Sequence, residues 1–168
     1  MPKRLLRNIA RFVTLVLVQV LIMNQIQFSG YLNPYIYILF ILLLPFETPN
    51  WLLLLLAFIL GLSVDIFSHT IGMHAIATTF MAFLRPYVLD FFAPRDDYDS
   101  GSLPRMYFYG FNWFIKYSAI LVFAHHLVLF YTEIFRLSDF FSTFLRVIIS
   151  SAFSILFIII SQYFVYRK

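Results

Sequence analysis

The 168-residue sequence contains no cysteine and few charged residues. Without cysteine, the chain can form no disulfide framework and no thiolate metal site, and it offers no thiol nucleophile. Charged residues make up 12% of the sequence and hydrophobic residues 62%, whereas globular domains carry about a quarter charged residues. Such a chain cannot cover a folded core with a wetted surface. The composition therefore predicts an integral membrane protein.

Long stretches of the sequence lack Asp, Glu, Lys and Arg altogether, the longest being residues 12–46. A helix needs about 20 apolar residues to cross a hydrocarbon core of roughly 30 Å. Turn residues divide the chain into the spans of an all-α bundle of about six transmembrane helices: about 9–28, 32–46, 50–68, 72–91, 112–133 and 140–165. The second span is short, about 22 Å, and is expected to thin the bilayer or to depend on its neighbours.

Lys and Arg indicate the orientation of the spans, because basic residues beside spans stay in the cytoplasm. The apolar stretch after the basic start continues to about Phe28 without an A-x-A-like cleavage site, so we expect an uncleaved first span. The segments then predicted to be cytoplasmic hold these basic residues: Lys3, Arg4, Arg7, Arg11, Arg95, Arg105, Arg167 and Lys168. The outer loops hold only Arg136. Both termini and the loop 92–111 are therefore predicted to be cytoplasmic, and no nucleic acid is expected as a partner.

The stretch GLSVDIFSHTIGMHAIATTFMAFLRP, residues 61–86, places ionisable residues in an apolar segment. Asp65 lies about 22 Å along the third predicted span, where a charge costs at least about 2.5–3.5 kcal/mol and usually faces protein or a wet cavity. His69 follows on the same helix face, and His74 begins the returning helix after Gly72, which suits a tight reversal. Two interpretations stay open: a polar pocket or relay that opens outward, or a hairpin corner in which Asp65 bonds His69 or the loop backbone.

Two arginines lie at different depths in the predicted spans. Arg85 lies too far toward the cytoplasm for an unstrained pair with Asp65, and it precedes Pro86, which disfavours helical geometry. Its guanidinium is expected either to reach backbone carbonyls where the helix is loosened or to extend to the inner headgroups. Arg146 lies roughly 9 Å below the outer surface in the sixth span. It matches the depth of Asp65, and the two residues could neutralise one another if the bundle brings their spans together.

No catalytic constellation can be identified in the sequence. It shows no Ser-His-Asp arrangement, no phosphate-cradling glycine loop, no carboxylate pair at glycosidase-like spacing and no HExxH metal motif. The loop RDDYDSGS lacks the ligand spacing of an EF-hand. His125 and His126 are adjacent and point to different helix faces, so they are not expected to serve one site. We therefore predict a non-enzymatic protein with no metal site and no cofactor.

The segment GLSVDIFSHTIGMHAIATTFMAFL, residues 61–84, resembles the pattern G...D......G.HA of the bacterial rod shape-determining protein family MreD. The length, the basic start and the hydropathy of the whole chain are similar to those of that family as well. The residues at matching positions are Gly61, Asp65, Gly72, His74 and Ala75. The polar SHT residues, which include His69, have no counterpart in the pattern.

The resemblance implies a fold similar to the six-helix substrate-binding subunits of energy-coupling-factor transporters. It also implies a non-enzymatic role in the bacterial cytoplasmic (inner) membrane, as a component of the cell-elongation complex that organises peptidoglycan synthesis and cell shape. The implied partners are the bitopic protein MreC and, through it, MreB, RodA and penicillin-binding protein 2. Membrane lipid is a further partner, and homo-oligomerisation stays open. Two other functions also stay open: a small-molecule-binding subunit of an energy-coupling-factor-type transporter, and an intramembrane enzyme acting on a lipid-linked substrate.

Overall fold

The computed structural model describes residues 2–25, 33–95, 97–99, 101–134 and 140–165. Within these ranges the chain is helical and contains no strand. The α-helices in chain order are α1 (Pro2–Leu21), α2 (Leu39–Leu42), α3 (Asn50–Ser68), α4 (Met73–Phe91), α5 (Met106–Tyr109), α6 (Phe111–Ile134) and α7 (Phe140–Val165). A short 3-10 helix, Met23–Gln25, follows α1.

Four helical stretches in the described part of the chain are long and apolar enough to cross a membrane: Leu6–Gln25, Asn50–Ser68, Phe111–Ile134 and Phe140–Phe164. Large apolar side chains cover their exposed surfaces; Phe58 of α3 is 49% exposed and Phe164 of α7 is 82% exposed. A soluble monomer rarely exposes apolar surface on this scale, whereas a helix in lipid does so along its whole outer face. The fold is therefore that of an all-helical protein consistent with a membrane location.

The prediction of six spanning helices is wrong, because residues 33–46 do not form a long helix. Only Leu39–Leu42 is helical within this range. Residues 36–44 are at most 8% exposed, so this apolar run faces protein instead of lipid. We call residues 33–46 the buried segment. Non-helical backbone at membrane depth is tolerated where other parts of the protein satisfy its polar groups.

Helix α4, the predicted fourth span, has the length of a span but is not among the four apolar stretches. It carries Arg85 and Asp90, and Pro86 lies inside it. The helix packs between α3 and α6, while α6 also packs on α7. The buried side chains of α4 include those of His74, Thr78 and Arg85. These three polar residues therefore face other parts of the bundle, whereas Asp90 is exposed.

The bounds of the long helices lie close to those expected from the turn residues. Helices α3 and α7 coincide with the predicted ranges 50–68 and 140–165, whereas α1 begins at Pro2 because the basic start of the chain is itself helical. The loop 92–111 contains α5 and packs against the end of the buried segment. There the ring of Tyr98 stacks on that of Phe46, with 4.1 Å between the ring centroids.

Candidate functional site

The turn between α3 and α4 is closed by the side chain of Asp65, which is 2% exposed. Its Oδ1 accepts hydrogen bonds from Thr70 Oγ1 at 2.5 Å and from the backbone N–H of His74 at 3.1 Å. Its Oδ2 accepts from the backbone N–H of Ala75 at 2.9 Å. His74 and Ala75 lie in the first turn of α4, whose N–H groups have no partner within the helix and carry partial positive charge. Asp65 therefore caps α4 from the end of α3.

Gly61 lies one turn before Asp65 and allows the two helices to approach closely. A Cβ atom at this position would lie 2.5 Å from Ala75 Cα and 2.5 Å from the carbonyl oxygen of His74. These are backbone atoms, and they cannot move aside as the end of a flexible side chain can. Any larger residue would therefore push the start of α4 away from α3.

The chain reverses between these helices through two residues in the left-handed conformation. His69 ends α3 with a φ of 55°, and Gly72 precedes α4 with a φ of 74°. Glycine adopts this conformation without steric cost, whereas histidine does so less readily. The side chain of His69 is exposed, and the described bonds of Asp65 go to Thr70 and to α4 instead.

Five of the predicted site residues thus meet in one feature, which we call the hairpin corner: Gly61, Asp65, Gly72, His74 and Ala75. In the hairpin corner, Asp65 accepts hydrogen bonds from the backbone at the start of α4. A bond from Asp65 to the backbone is what the interpretation as a satisfied corner expected. The predicted alternative of a bond to His69 is not observed. The side chains of Asp65, His69 and His74 were expected to converge. Instead, Asp65 bonds the backbone N–H groups at the start of α4.

Arg85 is 1% exposed and connects α4 to the buried segment. Its Nε donates to Tyr117 Oη at 3.0 Å, and its Nη2 donates to the carbonyl of Leu44. Tyr117 Oη in turn donates to the carbonyl of Leu42 at 3.0 Å. The guanidinium therefore reaches backbone carbonyls, as one of the two expectations held. The carbonyl that Nη2 contacts belongs to the buried segment and not to the turn of α4 beside Pro86, and the side chain is buried instead of extending to the surface.

The first residues of the buried segment are held by polar side chains of α1 and α7. Gln19 Oε1 accepts from the backbone N–H of Ile36 at 2.8 Å, and its Nε2 donates to the carbonyl of Pro34 at 3.2 Å. Ser154 Oγ accepts from the backbone N–H of Tyr35 at 2.8 Å. These side chains replace hydrogen bonds that the backbone of a spanning helix would have made within itself.

The fully buried hydroxyl of Tyr37 joins polar groups of α4 and α6. Tyr37 Oη lies 3.0 Å from His74 Nδ1, 2.7 Å from His125 Nε2 and 3.1 Å from Thr78 Oγ1. Thr78 Oγ1 donates to the carbonyl of His74 at 2.7 Å, so it is available as an acceptor for Tyr37. A hydroxyl has one hydrogen and two lone pairs. All contacts are satisfied when Tyr37 donates to Thr78 and accepts from both imidazoles.

His126 makes a separate set of bonds beside this one. Its Nδ1 lies 2.8 Å from the carbonyl of Val122, and its Nε2 lies 2.9 Å from Ser154 Oγ. The ring of Tyr35 lies against both imidazoles, 6.0 Å from His125 and 5.3 Å from His126 between centroids. The two imidazoles therefore have different hydrogen-bond partners although one ring contacts both, and the expectation that they do not serve one site stays a prediction.

A cavity of about 330 Å³, which we call the polar cavity, lies at the end of the bundle that holds the hairpin corner. Its described walls come from the end of α1, the 3-10 helix, the buried segment and the adjacent ends of α3, α4, α6 and α7. The polar residues that line it include Asn24, Asn33, Thr70, His74, Glu133 and Arg146. A cavity with several converging polar side chains is the kind of feature that binds small molecules.

Arg146 forms an ion pair with Glu133 in the wall of the polar cavity. Arg146 Nη1 lies 3.0 Å from Glu133 Oε2, and the guanidinium lies 4.2 Å from the centroid of the Phe130 ring. The conditional expectation was that Arg146 and Asp65 could neutralise one another, and no ion pair between them is among the described contacts. The carboxylate of Asp65 is bonded to Thr70 and to α4, while Glu133 lies on α6, against which α7 packs.

A second concave surface, the α3–α4 groove, runs along the exposed side of these two helices and encloses about 550 Å³. Large apolar residues form its sides: Leu54, Phe58 and Leu62 from α3, and Ile76, Phe80 and Phe83 from α4. The smaller residues Gly72, Ala75 and Thr79 also line it. The groove therefore begins directly beside the hairpin corner.

Three arginines, Arg7, Arg11 and Arg105, lie near one another at the end of the bundle opposite the hairpin corner. Burial lowers the pKa of Arg105 to about 10, and the nearby charges of Arg11 and Arg7 contribute to the same shift. Arg105 therefore stays protonated at neutral pH. Arg11 also donates to the carbonyl of Leu43 at 3.3 Å.

The residues around the buried segment that sequence reasoning missed are Gln19, Tyr37, Tyr117 and Ser154. Their signal was weak, because uncharged polar side chains within a predicted span are compatible with many positions. Among the described residues, no group of three or more His, Asp or Glu side chains could hold a metal ion. Comparisons with protein-family models, with curated proteins and with solved structures found no match.

Proposed function

We propose that this chain is a non-enzymatic membrane component of the bacterial cell-elongation complex, similar in role to MreD. It holds a single-span partner such as MreC and thereby helps to organise peptidoglycan synthesis. The observation that carries the proposal is the hairpin of α3 and α4. The residues that resemble the MreD pattern build its corner, and the α3–α4 groove lies on its exposed side.

The groove has dimensions that suit a contact with another helix. Leu54 to Leu62 covers about 12 Å of α3, and Ile76 to Phe83 covers about 10 Å of α4. Residues spaced by four along a helix form ridges, and a second helix packs its own ridges between them. The apolar side chains of the groove need no polar partner from that helix.

Small residues favour close approach of the partner. In lipid, helices associate by packing and by a few polar bonds, because the hydrophobic effect does not drive them together. Ala75 and Thr79 lie in the groove between larger apolar residues. Gly61 sets the separation of α3 and α4 at the corner end of the groove. The corner therefore shapes the surface that receives the partner.

Coexpression with a tagged MreC-like protein, followed by extraction in a mild detergent, tests the proposal. We expect the two proteins to copurify, and we expect Thr79→Leu to reduce the recovered partner at least fivefold by filling the groove. Thr132→Leu on α6 is a matched control. Thr79 and Thr132 both donate to the carbonyl four residues earlier, but only Thr79 lines the groove. Failure to recover the pair although each protein folds, or equal recovery with Thr79→Leu, would overturn the proposal.

The polar cavity favours a second function, a small-molecule-binding membrane protein similar to the substrate-binding subunits of energy-coupling-factor transporters. Its volume of about 330 Å³ lies near the lower end of the range for ligand pockets, about 300–1,000 Å³. Native mass spectrometry of the purified protein separates the two functions. A retained small molecule supports the second, whereas a copurifying protein without such a molecule supports the first.

A further inference from the structure

We infer that the polar cavity binds a small zwitterion, a molecule with one carboxylate and one ammonium group, between Arg146 and Glu133. The inference rests on the second proposed function and names the class of ligand. It starts from an ion pair placed in the wall of a cavity, where each partner can bind a ligand group of opposite charge.

The two charges are near each other and both line the cavity. Besides the 3.0 Å contact, Arg146 Nη2 lies 3.4 Å from Glu133 Oε1, so both terminal nitrogens of the guanidinium face the two oxygens of the carboxylate. The side chain of Arg146 is 15% exposed and that of Glu133 is 41% exposed. The ring of Phe130 covers one face of the guanidinium and limits its movement. The arginine is therefore held in place, while the carboxylate has more freedom to turn toward a ligand.

The charge of the wall selects the class of ligand. A simple anion that approaches Arg146 meets the carboxylate of Glu133, and a simple cation that approaches Glu133 meets the guanidinium. A zwitterion gives each group an opposite charge and adds no net charge to a site that is partly removed from water. An ion pair with an exposed partner contributes little to folding stability, so a ligand can open it with little loss.

The rest of the cavity can bind the polar atoms of such a ligand. Asn24, Thr70 and His74 line the wall formed by the 3-10 helix and the hairpin corner. Asp65 lies behind Thr70, and its carboxylate is occupied by the bonds that cap α4. Among the described residues that line the cavity, the charged ones are Arg146 and Glu133, and they are the groups that attract a charged ligand. The volume limits the ligand to about the size of an amino acid or a short derivative of one.

The test uses the purified full-length protein in detergent and a panel of neutral amino acids as probes. Each amino acid is compared with its N-acetyl derivative, which lacks the ammonium charge, and with its amide, which lacks the carboxylate charge. We expect at least one amino acid to raise the thermal unfolding midpoint and to bind at least tenfold more tightly than both of its derivatives. Calorimetric titration measures these affinities directly.

Substitutions then locate the binding site. Arg146→Gln and Glu133→Gln should each weaken binding at least tenfold. Lys116→Gln and Asp90→Asn remove charges from exposed residues that do not line the polar cavity, and they should leave binding unchanged. The amino acids and their derivatives are measured on the unaltered protein, so they test the zwitterion inference even where a variant fails to fold.

The possible results test the zwitterion inference and the small-molecule-binding function separately. A small molecule that binds equally well with one of its charges removed, or whose binding is unaffected by Arg146→Gln, would overturn the zwitterion inference and leave the small-molecule function standing. Absence of binding by every probe, together with no retained molecule in native mass spectrometry, would overturn both.

Discussion

The carboxylate of Asp65 lies 2.9 Å from the backbone nitrogen of Ala75, and this hydrogen bond joins the end of α3 to the first turn of α4. It accounts for an ionisable residue in an apolar stretch. The start of a helix presents unpaired N–H groups and partial positive charge, which a carboxylate satisfies without a basic side chain. The position of Gly61 against Ala75 is part of the same design, because the cap requires the two helices to be close.

Substitution of Asp65 should separate hydrogen bonding from charge. Asp65→Asn keeps the oxygen that accepts from Thr70 and from the N–H of His74, but it turns an NH2 donor toward the N–H of Ala75. It should therefore lower the free energy of unfolding by about 1 kcal/mol, the low end of the cost of one unsatisfied buried group. Asp65→Ala leaves buried N–H groups without a partner and should cost about 1–3 kcal/mol. Reversible unfolding in mixed micelles measures both, with Asp90→Asn, at an exposed position, as the control. Equal destabilisation by Asn and Ala would show that the charge, and not the acceptor geometry, is what α4 requires.

Gly61→Ala should destabilise the protein through a single methyl group. The added Cβ would lie 2.5 Å from the backbone of α4, and small-to-large changes at packed positions cost about 1–3 kcal/mol. Ser63→Ala, two residues away at a half-exposed position, is the matched control on the same helix. The unfolding free energy of both variants is measured under the same conditions. A Gly61→Ala protein as stable as the Ser63→Ala protein would contradict the close contact.

The long helices could be predicted from the sequence because apolar runs bounded by turn residues define them directly. The buried segment could not, because residues 33–46 are as apolar as a span in lipid and differ only in what surrounds them. Helical hydrogen bonds are one way to satisfy such a backbone; side chains such as Gln19 and Arg85 are another, and sequence spacing does not identify the carbonyl or N–H that they contact.

The candidate site shows the same division. The positions of Asp65, Gly72 and His74 around one turn followed from local spacing, so their proximity was predictable. The partner of Arg146 was not, because depth along a span does not say which helices are neighbours. Depth along the spans suggested Asp65 as the partner of Arg146. In the structure α6 packs on α7, and the partner is Glu133 of α6.

Arg85 and Tyr117 should be coupled energetically. Tyr117→Phe removes an acceptor from the Nε of Arg85 and a donor from the carbonyl of Leu42, and unsatisfied buried groups cost about 1–3 kcal/mol. Arg85→Met also removes a buried charge, which offsets part of its cost. A double-mutant cycle of unfolding free energies should therefore give a coupling of about 0.5–3 kcal/mol. Tyr87→Phe, at a position 61% exposed, is the control. Additive effects of the two substitutions would contradict a shared network.

The proposed orientation can be tested without removing any native thiol, because the chain has no cysteine. Ile71 at the hairpin corner is 97% exposed, and Asp99 lies in the loop at the opposite end. In intact cells, Ile71→Cys should react with a membrane-impermeant maleimide, and Asp99→Cys should react only after the membrane is permeabilised. The basis is the group of Arg7, Arg11 and Arg105 at that end, because Lys and Arg beside spans favour the cytoplasm. Labelling of Asp99→Cys from outside would reverse the assignment and would place the polar cavity on the cytoplasmic side.

The bonds of Tyr37 predict the tautomers of the histidines around it. Because Thr78 directs its hydrogen to a backbone carbonyl, Tyr37 donates to Thr78 and must accept from His74 Nδ1 and His125 Nε2. His74 should therefore carry its proton on Nδ1 and His125 on Nε2, whereas His126, whose Nδ1 faces a carbonyl, should carry its proton on Nδ1. Nitrogen chemical shifts of protein labelled with ¹⁵N in its histidines distinguish these forms, since protonated and unprotonated ring nitrogens resonate in different regions. Tyr37→Phe should shift the signals of His74 and His125 and leave those of His126 nearly unchanged, because its bonds do not include the hydroxyl. The opposite tautomer at His125, or an equal response of all three histidines, would contradict the arrangement of hydrogens derived from these distances.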